Sequence, residues 1–313
     1  MQERNTEQTA SPVVVVGGAN VDIGGQSAGP LRSEDSNPGR VRISVGGVGR
    51  NIAHNLRLLG LPVLFLTALG KDAQGDRVAA ECAMAGIDCE RILRTHEAPT
   101  STYLFIADEA GDMHLAISDM EICRQISPDY LSAQADVFSS AAAVVADANL
   151  PEESLRYLAE RVEAPLFVDP VSAAKAGRIR DILGCIHTLK PNRLEAELLS
   201  GITIQTEADL LLAADRLLST GMKRVFISLG TEGVFAAEED QRLRIPCCPA
   251  APVNMTGAGD AMMAGLVWSF LQGLSLANSA RAAAAAAAIA VEGRHTVNSD
   301  LNPAALRQRA LQG

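Results

Sequence analysis

The sequence has no apolar run of the roughly 20 residues that a membrane-spanning helix needs. Its first twelve residues are polar and lack the basic and then apolar pattern of a signal peptide. We therefore expect a flexible tail over residues 1–12 and a cytoplasmic protein with no membrane partner.

Clustered positive charge and patterned cysteines are also missing. The net charge is −10, from 27 Lys and Arg against 37 Asp and Glu, which argues against nucleic acid as a partner because phosphate backbones require clustered basic residues. The six cysteines show neither zinc-site spacing nor a disulfide framework, which favours a reducing compartment. An anionic ligand would therefore need backbone amides and a divalent cation to bind.

The apolar segments that are present alternate with helical ones. The predicted strands lie at 13–16, 63–69, 143–146, 166–169, 186–190 and 225–229, and the predicted helices at 51–59, 74–85, 152–163, 175–183, 193–200, 207–220, 258–272 and 276–292. Such alternation is typical of a parallel sheet covered on both faces. We predict one α/β domain over 13–313, a three-layer α/β/α sandwich with a mostly parallel central sheet.

A smaller sheet is predicted in the first half of the chain. Segments 101–107 and 113–118 alternate apolar and polar residues across a turn at 109–111, which indicates a hairpin. With the alternating segment 40–45 it would form a small β lid, drawn from residues around 24–45 and 100–120. Residues 17–22 are expected to be a loop that follows the first strand.

Residues 254–261 carry the strongest chemical signal, reading Asn-Met-Thr-Gly-Ala-Gly-Asp-Ala at the start of a predicted helix. Small residues there let another molecule approach free amides and the positive end of the helix dipole, which suits a phosphoryl group. Asp260 would be the base that phosphoryl transfer to a hydroxyl requires. In an ordinary helix, an Asp at this point is a cap or dipole partner.

Residues 46–53 form a second glycine-rich segment before a helix, reading Gly-Gly-Val-Gly-Arg-Asn-Ile-Ala. It matches neither the phosphate loop of nucleoside triphosphatases nor the dinucleotide-binding fingerprint. A dehydrogenase interpretation, based on the glycines at the end of the first strand, also fails on spacing. Alone, such a cluster is equally typical of a turn.

Together the two segments resemble the signature regions of the PfkB-type, or ribokinase-like, carbohydrate and nucleoside kinases. The resemblance extends from about residue 13 to about residue 299. It also includes Asn20-Val21-Asp22, Lys190-Pro191-Asn192 with Glu195, and Leu229-Gly230-Thr231-Glu232-Gly233-Val234. It implies a ribokinase-like fold and an ATP-dependent kinase, with Asp260 as the base and the amides of Gly257, Ala258 and Gly259 as an anion hole.

The resemblance also implies roles on the substrate side. Asp22 would bind sugar hydroxyls, Gly46 and Gly47 would let the sugar lie against the backbone, and Asn51 would bond a hydroxyl. The further candidates are Asn20, Ser36, Asn37, Tyr103, Asp119, Asn149 and Lys175. The ordinary alternative is turn chemistry for Ser36, Asn37 and Asp119, and an exposed helix lysine for Lys175.

On the nucleotide side, the resemblance implies that Asn192 and Glu195 organise Mg²⁺ and the phosphates, largely through water. The alternative for Glu195 is a carboxylate that faces the helix dipole. The remaining candidates are Ser228, Gly230, Thr231, Gly233, Thr256 and Asn298, with a hairpin turn as the alternative for the loop 230–233. Asn254 stands where many members have an Asp at a monovalent-cation site, which argues against activation by K⁺.

Within the family, several segments are similar to those of members that phosphorylate the C-nucleoside pseudouridine; they lie at 35–39, 46–51, 118–120, 145–149, 169–172 and 254–265. This implies transfer of phosphate to the 5′-hydroxyl of pseudouridine. Two alternatives stay open: a related kinase acting on ribose, fructose, uridine or adenosine, and a nucleoside sensor without turnover. The uncovered face of the lid sheet further suggests a homodimer through the lid.

Overall fold

The structure, a computed structural model, describes residues 11–311, so the predicted tail lies outside the described residues except at positions 11 and 12. The strands are β1 Val13–Val16, β2 Asn20–Ser27, β3 Gly39–Gly46, β4 Val63–Leu66, β5 Ala68–Gly70, β6 Leu93–Thr95, β7 Thr102–Ala107, β8 Met113–Asp119, β9 Ala143–Asp147, β10 Leu166–Asp169, β11 Thr188–Leu189, β12 Arg224–Ser228, β13 Val234–Glu238 and β14 Gln241–Ile245.

The α-helices are α1 Val48–Leu58, α2 Ala73–Met84, α3 Pro128–Ser132, α4 Ala135–Ser139, α5 Glu152–Arg161, α6 Ala173–Ala176, α7 Arg193–Ser200, α8 Glu207–Leu218, α9 Ala258–Leu271, α10 Leu276–Glu292 and α11 Pro303–Ala310. Short 3₁₀ helices lie at Glu121–Gln125, Gly177–Cys185 and Gly230–Glu232. The helix predicted over 175–183 is therefore wrong in type, because α6 ends at Ala176 and a 3₁₀ segment continues from Gly177.

The main sheet has eight strands in the order β14-β13-β12-β11-β10-β9-β1-β4. The pairings from β12 to β4 are parallel, whereas the β12–β13 and β13–β14 pairings at one edge are antiparallel, so β13 runs against the other strands of this sheet. A parallel arrangement brings the carboxyl ends of β9, β10 and β11 to one edge of the sheet, where open α/β folds bind their ligands.

Helices cover both faces of this sheet. In β1, Val13 and Val15 belong to one hydrophobic core, together with residues of α1, α9 and α10, while Val14 and Val16 belong to a second core on the opposite face. All four valines are buried because a strand enclosed on both sides alternates between two apolar layers. The predicted three-layer sandwich is confirmed.

The lid is a four-stranded sheet in the order β3-β2-β7-β8. The predicted hairpin of β7 and β8 is present, and β3 contains the predicted segment 40–45. The expected loop at 17–22 is wrong from Asn20 onward: β2 is a full strand, although Gly24 and Gly25 disfavour one, because it pairs along its length with both β3 and β7. Within residues 11–311, no helix combines the length and apolarity needed to cross a bilayer.

Candidate active site

Asp260 lies in the first turn of α9, where the sequence predicted it. The helix begins after Gly257, whose φ of +86° and tight contact with the Thr296 backbone leave no room for a side chain. The helix dipole and the free amides of the first turn therefore face outward beside the carboxylate. Asp260 is only 9% exposed, and its Oδ2 accepts a hydrogen bond from Nδ2 of Asn51 at 2.9 Å.

Asn51 connects this helix to the other glycine-rich segment. It stands in the first turn of α1, which begins after Gly47, and Nη1 of the neighbouring Arg50 donates to Oδ1 of Asn51 at 3.3 Å. That contact turns the amide nitrogen of Asn51 toward Asp260. The N-termini of two helices thus meet at one buried carboxylate, and the sequence predicted both helices but not Arg50.

The surroundings of Asp260 disfavour its ionised form. Burial raises its pKa to about 8, with the negative charge of Asp169 acting in the same direction. The hydrogen bond from Asn51 and the positive charge of Lys190 act against this rise. Asp260 is thus a buried carboxyl group with a pKa near neutrality, which suits a general base.

A buried ion pair lies next to Asp260 and was missed as a site feature. Lys190 follows β11 and Asp169 ends β10, and Nζ of the lysine is 3.0 Å from Oδ2 of the aspartate. Burial alone would lower the pKa of Lys190, but the ion pair with Asp169, together with the negative charges of Glu195 and Asp260, keeps the pKa above its ordinary value. The signal available in the sequence was three charged residues, including Asp147, at the ends of successive parallel strands.

The predicted sugar-binding residues lie together where the lid joins the main sheet. In the pairing of β2 with β3, Asn20 is opposite Gly46, and Nδ2 of Asn20 donates to Oδ1 of Asp22 at 2.6 Å. A side chain on Gly46 would overlap the carboxylate of Asp22, so the glycine keeps that space free. Burial raises the pKa of Asp22, against the effects of the Asn20 hydrogen bond and the charge of Arg50.

Asn149 and Lys175 form a second polar group among the predicted substrate-binding residues. Nζ of Lys175 donates to Oδ1 of Asn149 at 2.5 Å, and the lysine is half-buried, so it is not the exposed helix lysine of the alternative interpretation. Burial lowers its pKa against the attraction of Asp147. Both residues line a cleft of about 570 Å³, whose other walls include Ser118, Cys123, Arg124 and Arg178. Neither Arg124 nor Arg178 was predicted from the sequence.

The remaining lid candidates are distributed unevenly. Tyr103 is opposite Asp22 in the sheet pairing and therefore shares its face. Asp119 is opposite Thr102, the residue before Tyr103, so its side chain lies on the other face of the sheet from Tyr103 and Asp22. The side chain of Asp119 accepts from the backbone of Glu121. Ser36 and Asn37 lie in an exposed loop, where the Asn37 side chain bonds the backbone of Arg32. The structure does not bring these last three residues to Asp260.

The nucleotide-side candidates begin with the start of α7. Asn192 and Glu195 form a capping box, in which each side chain accepts from the other residue's backbone N–H, at 2.9 and 2.8 Å. Glu195 is buried, and burial raises its pKa. The alternative interpretation of Glu195, as a carboxylate that faces the dipole at the start of a helix, therefore describes part of its role. Ser228 ends β12 and bridges to Asn192, which puts the following loop beside α7.

Further candidates lie in loops around this edge. Gly230 and Gly233 both have positive φ, and Thr231 between them is exposed. Thr256 is exposed, and its backbone N–H donates to Oδ1 of Asn254. The side chain of Asn298 bonds the protein itself: it donates to the carbonyl of Ile289 in α10 at 2.7 Å and accepts from the backbone of Asp300 in its own loop.

The fold and this edge of the sheet define the class of protein. A ribokinase-like sandwich with a buried carboxylate at a glycine-rich helix N-terminus belongs to the phosphotransferases that have an alcohol group as acceptor. A family model described as pfkB family carbohydrate kinase matches residues 10–303. The chain belongs to the pfkB family.

Individual relatives agree with this assignment. Pseudouridine kinase of Escherichia coli (strain K12) is 40% identical over 93% of this chain and 93% of that protein. An uncharacterised sugar kinase of the same strain is 42% identical over 88% of this chain and 77% of the relative. The solved structure of Arabidopsis thaliana ribokinase with ribose and ATP has a TM-score of 0.85 at 23% identity, covers 96% of this chain and 99% of that one, and shares the fold.

Proposed function

We propose that this kinase transfers the terminal phosphoryl group of ATP to the 5′-hydroxyl of pseudouridine. The observation that carries the chemistry is the position of Asp260, buried in the first turn of α9 and bonded to Asn51. The substrate assignment is supported by the pseudouridine kinase that is 40% identical over nearly the whole of both chains.

Asp260 is the general base in this proposal. Its carboxylate accepts the proton of the 5′-hydroxyl as that oxygen forms a bond to the terminal phosphorus and the bond from phosphorus to the oxygen of ADP breaks. The amides of Gly257, Ala258 and Gly259 stabilise the charge spread over the phosphoryl oxygens. The hydrogen bond from Asn51 orients the carboxylate and favours its ionised form.

The residues beside α7 fit a nucleotide-bound Mg²⁺ but not a metal cage. Within residues 11–311, no cluster of three or more His, Cys, Asp or Glu could hold a metal by itself. Glu195 has one oxygen engaged by the capping box and a second one left for a water of the ion. When bound, Mg²⁺ would neutralise phosphate charge. Ser228, Gly230, Thr231 and Gly233 would line the nucleotide, with Thr256 and Asn298 further along, and we expect no requirement for K⁺.

The substrate would extend from Asp260 toward the lid. Asp22 would accept hydrogen bonds from the ribose hydroxyls, with Asn20 fixing its carboxylate and with Gly46 and Gly47 leaving the space open. The ring of pseudouridine has two N–H donors and two carbonyls, and Asn149 and Lys175 offer both an acceptor and donors in the adjoining cleft. Ser36, Asn37, Tyr103 and Asp119 remain predicted contacts, and the first three would need lid closure to reach the substrate. Asp119 would also need the end of β8 to shift, because it does not share a face with Asp22.

We also propose that a second copy of the chain covers the lid. Apolar side chains from three strands occupy one face of its sheet, and they are largely exposed: Val41, Ile43, Leu104, Ile106, Leu115 and Ile117. An apolar sheet face of this extent favours burial in a symmetric interface.

All six cysteines are free thiols, which agrees with the predicted cytoplasmic location.

A substrate panel tests the function. The purified protein is incubated with Mg·ATP and pseudouridine, uridine, ribose, fructose or adenosine, and the products are detected by mass, with the Asp260→Asn variant as the control for contaminating kinases. We expect pseudouridine 5′-phosphate as the main product. Phosphorylation of a different member of the panel alone would leave Asp260 as the proposed base but would contradict pseudouridine as the substrate; a sugar product would agree with the sugar kinase relative. No product in any reaction would favour a sensor.

A further inference from the structure

We propose that the ammonium group of Lys190 contacts the phosphoryl group during transfer, and that Asp169 holds the lysine side chain in place for that contact. This proposal rests on the proposed kinase reaction and adds a cation to an anion hole that otherwise consists of backbone amides.

The position of the ammonium is the first argument. A Cβ built on Gly259 would lie only 3.0 Å from Nζ of Lys190, so the ammonium lies against the glycine in the first turn of α9. Gly259 immediately precedes Asp260 and supplies one of the amides proposed to hold the phosphoryl oxygens. A phosphoryl group held there would be next to the lysine.

The state of the side chain is the second argument. Lys190 is 6% exposed and Asp169 is 4% exposed, so both charged groups have been removed from water. In the described part of the chain, Asp169 is the one carboxylate within 4.0 Å of the ammonium. Since an ammonium group has three N–H donors, an ion pair with a single oxygen leaves it donors for a ligand. The aspartate therefore fixes the position of the lysine side chain without engaging all three of the ammonium N–H donors.

The balance of charge is the third argument. Asp147, Asp169, Glu195 and Asp260 all end or begin elements at this edge of the sheet, and each, when ionised, would repel the phosphates of a nucleotide. Three of them, Asp169, Glu195 and Asp260, raise the pKa of Lys190 and so favour its charged form. A buried cation at Gly259 would offset this repulsion where charge develops in the transition state.

The competing explanation is that Lys190 only neutralises Asp169. A charge-neutral double variant, D169N/K190M, separates the two roles because it removes both members of the ion pair and leaves no unpaired buried charge. It is compared with K190M and the unmodified protein. The measurements are kcat with Mg·ATP and pseudouridine, the melting temperature, and calorimetric affinities for Mg·ADP and for a non-hydrolysable Mg·ATP analogue.

If Lys190 contacts the phosphoryl group, K190M and the double variant both lose about 100-fold in kcat, the magnitude typical of removing one transition-state donor. The analogue, which carries the third phosphate, binds about 10-fold more weakly to both variants, while ADP affinity changes less than about 3-fold; a tenfold loss corresponds to about 1.4 kcal/mol. The double variant melts above K190M. If K190M fails to fold, the double variant alone decides.

The proposal is overturned if the double variant regains kcat and analogue affinity within about 3-fold of the unmodified protein, or if ADP and the analogue lose affinity equally. The binding comparison also separates this proposal from the proposed function. A protein that phosphorylates no substrate in the panel contradicts the function, yet a selective loss of analogue affinity in the variants would still support the lysine contact.

Discussion

The two walls of the candidate active site differ in how far their polar residues are buried and bonded. The base wall, formed by the starts of α1 and α9 and the ends of β10 and β11, is buried and bonded: Asn51, Asp169, Lys190 and Asp260 all have partners within it. The lid wall, formed by β2, β3, β7 and β8, is bonded in this way at the start of β2, where Asn20 donates to Asp22. Its candidates Ser36, Asn37 and Asp119 are exposed or bonded within their own loops, and Leu115 and Ile117 on its outer face are each 59% exposed.

This difference indicates which properties of the enzyme depend on each wall. The electrostatics of the base wall are set in the free chain, because its charges are fixed by burial and by one another. In the function proposed above, the lid wall is completed by a further event, which is closure over substrate or contact with a second copy. Changes in the base wall should therefore alter kcat and its pH dependence, whereas changes in the lid should alter KM and assembly.

The strongest test of the base wall is Asp260→Asn. The variant keeps the size of the side chain and an oxygen that accepts from Asn51, but it cannot accept a proton at neutral pH. We expect kcat to fall by about 10²–10⁴-fold, the usual contribution of a general base. Nucleotide affinity, measured by calorimetry, should change less than about 3-fold. A kcat within tenfold of the unmodified protein would remove Asp260 from its role.

The pH dependence follows from the pKa of about 8 for Asp260. A base must be ionised, so kcat/KM should rise with pH and level off above about pH 8. Stability should change in the opposite direction. Because the folded state holds this proton up to a higher pH than the unfolded state, the unmodified protein should lose stability relative to D260N as pH rises from about 4 to about 8.

Melting temperatures of the two proteins at pH 5 and pH 8.5 measure this effect. The advantage of D260N should be larger at pH 8.5. An equal difference at both values, together with a flat kcat/KM from pH 6 to pH 9, would show that Asp260 is ionised throughout this range.

Asn51→Ala tests the bond that joins the two helices. Losing this donor should raise the pKa of Asp260 further and displace the rise of kcat/KM to higher pH, with a loss of about 10- to 100-fold near neutrality. Asn55→Ala is the matched control, since Asn55 is a buried amide one turn along α1 that bonds the backbone of Asn51. It should reduce stability without displacing the pH profile. The same displacement in both variants would indicate a general disturbance of α1.

Much of this wall could be predicted from the sequence because its signals are local. Gly257, Gly259 and Asp260 are close together in the chain. The strands and helices can be recognised from the spacing of their apolar residues. The ion pair of Lys190 and Asp169 could not be predicted in this way. It joins residues on separate strands, and a charged residue at a strand end is ordinarily solvated.

The lid was harder to predict for a related reason. The strand β2 contains two glycines and polar residues, and it exists because β3 and β7 pair with it from both sides. Whether Asp119 shares a face with Asp22 also depends on the pairing of three strands, and a shift of one residue reverses the answer. Local propensity carries no information on either point.

Glu195→Gln is expected to have a smaller effect at the nucleotide side of the base wall. The amide oxygen can still accept from the backbone of Asn192, so the helix cap and the melting temperature should be nearly unchanged. Losing the negative charge should raise the Mg²⁺ concentration needed for half-maximal rate by about 10-fold. Glu197→Gln, on the same helix, should leave this concentration unchanged. Equal effects of the two variants would exclude a specific role for Glu195.

The smallest effect on chemistry is expected from the lid. Ile117→Lys places a charge on the apolar outer face of β8 and should convert a dimer into a monomer by light scattering, with KM for the nucleoside raised severalfold and kcat nearly unchanged. Met84→Lys is the matched control, because Met84 is 80% exposed on α2, outside the lid sheet. Since Ile117 lies on the face opposite Tyr103, a fall in kcat without a change in mass would show that the lid acts on the base wall within one chain, and that the two walls are less independent than their burial indicates.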